Sequence, residues 1–273
     1  MYPFVKWAGG KRQMLNTLKQ NLPLSYNKYY EPFIGGGALL LETQPEQAII
    51  NDINAELIHV YRIIQSCPTK LVTYIQKLDA QHCDASVYLK NRTRYNQKIS
   101  LKEYDVELAA LFIWINKHCF NGLYRVNQKG EFNVPYNNAG DIQTIDKDNI
   151  INISNYLQSV QIYNQDFEQI FNDVAAEDFI FFDSPYDDSF TGYSKNGFSE
   201  QDHIRLANLF QNLTNLGCYC LLTNHNTPLI NKLYKDFYLK EIDVRRSINR
   251  DGKNRYGKEV VITNYLPKGD ITC

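Results

Sequence analysis

The sequence predicts an α/β protein built around a mostly parallel sheet, and three observations carry that expectation. Short apolar or aromatic runs at 28–33, 47–52, 160–166, 179–186, 218–225, 237–244 and 259–266 read as strands. Helical patterns such as SEQDHIRLANLFQNL (199–213) separate several of them, and that alternation favours parallel pairing. Between the second and third runs lies a long block of helical periodicity instead of a strand.

In order along the chain, KYYEPF is a short aromatic strand, IGGG a turn, ALLLET the start of a helix, and QAIIND a strand closed by a carboxylate. From Ala55 the apolar residues Leu57, Ile58, Tyr61 and Ile64 recur at helix spacing. Helical character continues with breaks to about Phe120, where Leu108, Leu111, Phe112 and Ile115 mark a second apolar face. Residues 121–140 are dense in Asn and Gly with aromatics interleaved, which reads as a loop or hairpin. Strand signals return at Val160. The last two strands have no helix between them, as an antiparallel edge hairpin requires. The expected layout is a core made of residues 1–55 and 159–273, interrupted by a largely helical insertion over 56–158.

A chain of 273 residues can bury one core and carry such an insertion. Its 44% hydrophobic and 22% charged residues are ordinary for a globular protein. No apolar run approaches the roughly 20 residues that span a bilayer, and the N-terminus has no secretory apolar segment. A cytoplasmic protein without membrane association is expected. The cysteines Cys67, Cys83, Cys119, Cys218, Cys220 and Cys273 form no CxxC pair and show no zinc-ligand spacing, so reduced thiols and no metal are expected. The net charge of −1 excludes nothing, because residues 245–258 concentrate Lys and Arg against a single Asp. That run is either a solvated loop or a grip on phosphates.

Two motifs carry chemistry. In EPFIGGG (Glu31–Gly37), consecutive glycines between a strand and a helix allow backbone angles and close approaches that side chains forbid. The spacing is not that of the dinucleotide fingerprint, and for the glycines alone a tight turn without a ligand is the default reading. Asp52 ends the next strand, where a carboxylate can accept the hydroxyls of a ribose or cap the following helix; with the turn, it points to a nucleoside cofactor. DSPY (Asp183–Tyr186) follows the apolar strand FIFF and so lies in the same crevice. There the Asp183 carboxylate and the Ser184 carbonyl suit the two N–H bonds of an exocyclic amine, aiming its lone pair at an electrophilic methyl. Pro185 stiffens the turn and Tyr186 offers a face for a base extruded from a duplex.

KWAGGK (Lys6–Lys11), EPFIGGG, NDIN, NGLYRVNQKGEFNVPY (Asn121–Tyr136) and DSPY occur in the order of the Dam-type, D12-class, α-group DNA adenine methyltransferases, and the chain resembles that family over essentially its whole length. The resemblance implies a Rossmann-like class I methyltransferase core, an inserted DNA-recognition domain, S-adenosylmethionine as methyl donor and double-stranded DNA as substrate. It implies that Trp7, Lys11, Asp52 and Asp183 contact the donor, that Gly35 and Gly37 line its pocket, and that Phe33 and Phe167 border its methionine and adenine regions. It assigns DNA contacts to Phe120, Asn121, Leu123, Arg125, Pro135 and Tyr136, with Lys6 and, from the VRRSI segment, Arg246. Arg125 suits a bidentate pair with guanine O6 and N7, or equally a phosphate. The hairpin is close to the pattern of GATC-reading members, which makes GATC the expected target.

One position departs from the family. Its tetrapeptide is DPPY, and Ser184 stands where the first Pro is expected, giving up a fixed φ and adding an N–H. The turn then either tolerates the change or misplaces the amine acceptors, leaving a catalytically impaired, sequence-specific DNA-binding protein. A methyltransferase of protein glutamine or RNA is a further reading, which the GEFNVP hairpin disfavours. A monomer is expected, with or without a cognate restriction endonuclease.

Overall fold

A computed structural model describes residues 1–186, 198–245 and 256–267. The elements in chain order are α1 (Leu15–Gln20), β1 (Tyr29–Glu31), α2 (Ala38–Thr43), β2 (Ala48–Asn51), α3 (Ala55–Ser66), α4 (Pro68–Asp79), α5 (Ala85–Leu101), α6 (Val106–His118), α7 (Lys147–Leu157), β3 (Val160–Tyr163), β4 (Phe179–Phe182), α8 (Glu200–Asn215), β5 (Tyr219–His225), α9 (Pro228–Leu233), β6 (Tyr238–Arg245) and β7 (Tyr256–Thr263). The strands form a sheet in the order β3-β2-β1-β4-β5-β7-β6. All pairs from β3 to β5 are parallel, and β7 runs antiparallel to both β5 and β6. The final hairpin is therefore present, with β7 drawn inside the sheet and β6 left as the edge.

The two-residue period of the strands divides the core. Tyr29, Ile50, Phe179, Phe181 and Leu221 face one hydrophobic cluster, and Tyr30, Ile49, Ile180, Phe182 and Leu222 face the other. The first cluster runs without interruption into α3 to α6, through Leu57, Tyr61, Leu71, Tyr88 and Trp114. The second is closed by α8 and α9 through Leu206, Phe210 and Ile230. Side-chain caps start the helices where the sequence supplies them: Asn54 for α3, Asp84 for α5, Asp105 for α6, Asp146 for α7 and a Ser199–Asp202 capping box for α8.

β1 lies between β2 and β4, so the chain winds to one side from β1 and to the other from β4. This is the topological switch point, and its carboxyl edge is the crevice where such sheets bind ligands. Glu31, Asp52 and Asp183 all lie at that edge. No helix among the described residues is long and apolar enough to cross a membrane.

Candidate active site

The glycine turn is built against an aromatic ring. Gly35 adopts φ +45°, and a Cβ there would sit 2.7 Å from Trp7 Cδ1. Trp7 therefore lies directly on the backbone of the turn, stacked on its other neighbours Tyr124 and Phe112 at 5.6 and 6.4 Å. Gly37 is the N-cap of α2. The Tyr61 hydroxyl donates to the Gly35 carbonyl at 3.0 Å. Asp52 accepts the Gly35 N–H and the Asn54 N–H, each at 3.0 Å, while Asn54 itself caps α3. Asp52 thus holds the turn instead of capping the helix. Burial pushes its carboxyl up to about 6, against those backbone N–H bonds. Asn51 joins three strand ends: its amide donates to Pro32 O and Gln165 O and accepts from Gln165 N.

Across the crevice, Asp183 is 19% exposed and pairs with the buried Lys11 ammonium at 2.6 Å. The Thr223 hydroxyl donates to the same carboxylate oxygen at 2.9 Å. Burial raises the Asp183 carboxyl above its usual range, and Lys11 and Thr223 oppose that rise. Ser184 is 2% exposed, and its hydroxyl accepts a 3.4 Å hydrogen bond from Asn224. The turn after β4 is thereby fastened to β5 by Thr223 and Asn224. Pro185 is exposed beside it. Tyr186 is buried, donates its hydroxyl to Glu259 at 2.7 Å, meets His225 edge to face, and has the Lys11 ammonium 4.5 Å from its ring centre. A base stacking on this ring has to share it with Lys11.

Aromatic rings wall one end of the crevice. Phe33 lies 5.3 Å from Phe167, and Phe198 touches both. The Arg205 guanidinium covers Phe167 at 4.7 Å and is held by Asp166, Glu168 and Asp202. Next to Asp52, Ile53 is 67% exposed, an apolar side chain left open beside the crevice.

The Asn-rich segment is an irregular hairpin joined to the end of α6. Isolated bridges pair Cys119 with Tyr136 and Val126 with Phe132, and Asn127 closes the tip against Lys129 and Glu131. Phe120 is 51% exposed, Asn121 takes φ +55°, and Leu123 is half-buried. The Phe120 N–H is bonded to the Pro135 carbonyl at 2.8 Å. Arg125 is exposed, with Nε donating to Asn133 Oδ1 at 2.7 Å and a terminal nitrogen to Asn133 O at 3.3 Å. Tyr136 is an anchor: its hydroxyl donates to Cys83 O at 2.9 Å and its ring stacks on Tyr88. Lys6 is exposed beside this hairpin, packed on Gly122. Arg246 lies outside the described residues. Of the basic run around it, Lys258 forms an ion pair with Glu241 at 2.5 Å. Among the described residues no group of His, Cys, Asp and Glu is arranged to hold a metal ion.

Strand order, switch-point crevice and the position of its glycine and acidic residues make this a class I methyltransferase fold. Comparison with known proteins narrows the class. Residues 7–248 match the D12 class N6 adenine-specific DNA methyltransferase family. Similar proteins include the type II methyltransferase M1.LlaDCHI of Lactococcus lactis subsp. cremoris, 39% identical over 96% of this chain and 95% of its own. The type II methyltransferase M.MjaIII of Methanocaldococcus jannaschii is 37% identical over 96% and 99%. The DNA adenine methylase of Escherichia coli K12 is 28% identical over 97% and 95%. The chain belongs to the D12 class family, and it is an adenine-specific DNA methyltransferase.

Several residues of the site had no role in the sequence reading. Ile53 carried a visible signal, an apolar residue directly after a strand-ending acid. Thr223, Asn224 and Glu259 carried none, because only sheet pairing brings β5 and β7 beside the turn after β4. Phe198 and Arg205 become site residues only through the packing of α8 against Phe167.

Proposed function

We propose that this enzyme transfers a methyl group from S-adenosylmethionine to N6 of adenine in double-stranded DNA, within GATC. The observation that carries the reading is the turn after β4: Asp183, the Ser184 carbonyl and Tyr186 lie at the switch point, across from the Gly35 turn and Asp52. The residues present suit the donor. The Gly35 backbone offers a close approach, Asp52 an acceptor for a ribose diol, Phe33 apolar surface toward the methionine part, and Ile53 and Phe167 apolar surface for the donor's adenine. When bound there, the sulfonium supplies the electrophilic methyl.

The protein's own residues do the rest. Asp183 and the Ser184 carbonyl accept the two amine hydrogens and direct the nitrogen lone pair out of the base plane. As the N6–methyl bond forms and the methyl–sulfur bond breaks, positive charge develops on N6. The Asp183 carboxylate stabilises it, a contact that strengthens in the transition state, and one N6 proton is then lost to solvent. Tyr186, held by Glu259, fixes one wall for the extruded base. No covalent enzyme intermediate is required.

Target choice falls to Lys6, Phe120, Asn121, Leu123, Arg125, Pro135 and Tyr136, and we assign them to a recognition unit of residues 56–158 placed against a catalytic unit of 1–55 and 159–273. GATC is supported by the similarity of the 121–136 hairpin to GATC-reading members and by Arg125. Asn133 occupies its Nε edge, so the terminal nitrogens remain to face guanine O6 and N7. The type II methyltransferases among the relatives support a place beside a restriction endonuclease. We infer a monomeric chain, since modifying one strand at a time needs no second copy.

Incubation with labelled S-adenosylmethionine and duplexes that contain or lack GATC tests the reading. Label on adenine of the GATC duplex, lost in Asp183→Ala, is expected. Binding to GATC duplexes without label, restored by Ser184→Pro, would establish the catalytically impaired alternative instead.

A further inference from the structure

Asn116, on the last turn of α6, is 2% exposed, yet its side chain bonds to nothing on its own helix. Oδ1 accepts the Lys6 N–H at 2.8 Å. Nδ2 donates to the Lys6 carbonyl at 2.9 Å and to the Gly122 carbonyl at 3.1 Å. The amide thus pairs with Lys6 as a neighbouring peptide would and uses its remaining hydrogen on the hairpin turn. A buried amide with both hydrogens and its oxygen satisfied is rigid, and removing it strands three backbone groups.

The two segments it joins also touch directly. A Cβ on Gly122 would lie 2.3 Å from Lys6 Cβ and 2.6 Å from Lys6 Cδ, so the lysine stem lies across the backbone of the turn. Only glycine admits that approach, at φ +63°. Beside Lys6 in the chain, Trp7 covers Gly35 of the crevice. On the other side, Gly122 belongs to the turn that exposes Phe120 and Asn121. A continuous set of contacts therefore runs from the glycine turn through Trp7, Lys6 and Asn116 to the hairpin.

We propose that Asn116 is a positioning residue for target recognition, setting Lys6 and the Phe120–Leu123 turn in one register and aligning both with the methyl-transfer crevice. The proposal rests on the reading that Lys6 and this turn face DNA. It requires that the two not be independent readers: moving either displaces the other.

The test uses the full chain, the single variants Asn116→Ala, Gly122→Ala, Lys6→Ala and Arg125→Ala, and the double variant that combines Asn116→Ala with Lys6→Ala. Affinity is measured for a GATC duplex and for duplexes with one base pair changed, and donor affinity is measured by calorimetry without DNA. Both Asn116→Ala and Gly122→Ala are expected to lower discrimination between the duplexes about tenfold, the worth of one base contact. Donor affinity should stay within about twofold. Lys6→Ala should add little in the Asn116→Ala background, because coupled sites are not additive. Should Asn116→Ala fail to fold, Gly122→Ala alone decides. Full discrimination in folded Asn116→Ala or Gly122→Ala while Lys6→Ala loses it, or additive losses, would overturn the proposal. If Lys6→Ala and Arg125→Ala themselves keep full discrimination, the recognition reading beneath it fails instead.

Discussion

Lys11 places its ammonium 2.6 Å from Asp183 Oδ1 and 4.5 Å from the centre of the Tyr186 ring, between the carboxylate and the aromatic face that an adenine would use. The pair acts in two directions. Lys11 favours ionisation of Asp183 against the burial that raises its pKa. It also shares Oδ1 with the Thr223 hydroxyl, which directs the amine hydrogen of the proposed reaction to Oδ2.

The sign of the pH effect follows. In the proposed mechanism only ionised Asp183 stabilises charge on N6, so kcat should fall as pH drops through its raised pKa. Lys11→Met removes a contribution that lowers that pKa, and the acid limb of kcat moves to higher pH. Profiles at saturating DNA and S-adenosylmethionine should show a larger loss at pH 6 than at pH 8. An acid limb unmoved by the substitution would show that Asp183 does not titrate in the reaction.

Ser184 is the departure from DPPY, and the geometry gives it a local remedy. The hydroxyl faces inward onto Asn224 while Thr223 holds Asp183, so β5 supplies the fixing that a proline ring would. The 3.4 Å bond is long, and its loss should move the acceptors by well under the ~1 Å that costs about 100-fold in rate. Ser184→Ala and Asn224→Ala are each expected to lower kcat less than about tenfold. The double variant should be no worse than the poorer single one, since both delete the same bond. Single-turnover rates measure this directly, and independent, multiplying losses would separate the two residues.

Asp52 titrates at about 6, within reach of ordinary buffers. A carboxylate accepts two hydroxyls, whereas the protonated acid must give up one acceptor site. Donor affinity should therefore weaken as pH falls from 7 to 5 and level off below. Asp52→Asn should bind more weakly at pH 7 and lose the dependence over that window. Calorimetric titrations at the two pH values decide, and a pH-dependent Asp52→Asn would assign the titration elsewhere.

What the sequence disclosed and what it withheld divide along physical lines. The parallel core was legible because FIFF, AII and YY are apolar on both faces, the pattern of strands covered by helices on either side. EPFIGGG and DSPY were legible because turns at strand ends are written in contiguous residues. The role of Asp52 was ambiguous, since a cap and a ligand acceptor use the same residue type; Asn54, two positions on, resolved it by taking the cap. Asn224, Glu259 and Asn116 were not legible at all. Each acts on a partner far away in sequence, Asn116 on Lys6 across 110 positions, and no local spacing records such a bond. Their identities are ordinary; only the fold gives them work.

Arg205 illustrates the same point and yields the last expectation. It is about one-third exposed and bonded to Asp166, Glu168 and Asp202, an arrangement that taken alone contributes little stability per pair. Its distinguishing feature is the guanidinium carbon 4.7 Å from the centre of the Phe167 ring, which packs with Phe33 and Phe198. The Asp166 contact also fixes the backbone that carries Phe167. Arg205→Met should therefore leave the melting temperature nearly unchanged yet loosen the aromatic wall, raising KM for S-adenosylmethionine several-fold at constant kcat. Arg205→Lys keeps the charge but neither the planar stack nor the fork that reaches several carboxylates, so it should recover only part of the loss. Steady-state kinetics with the donor as the varied substrate separates these outcomes. An unchanged KM in Arg205→Met would reduce the cluster to a surface network with no bearing on the crevice.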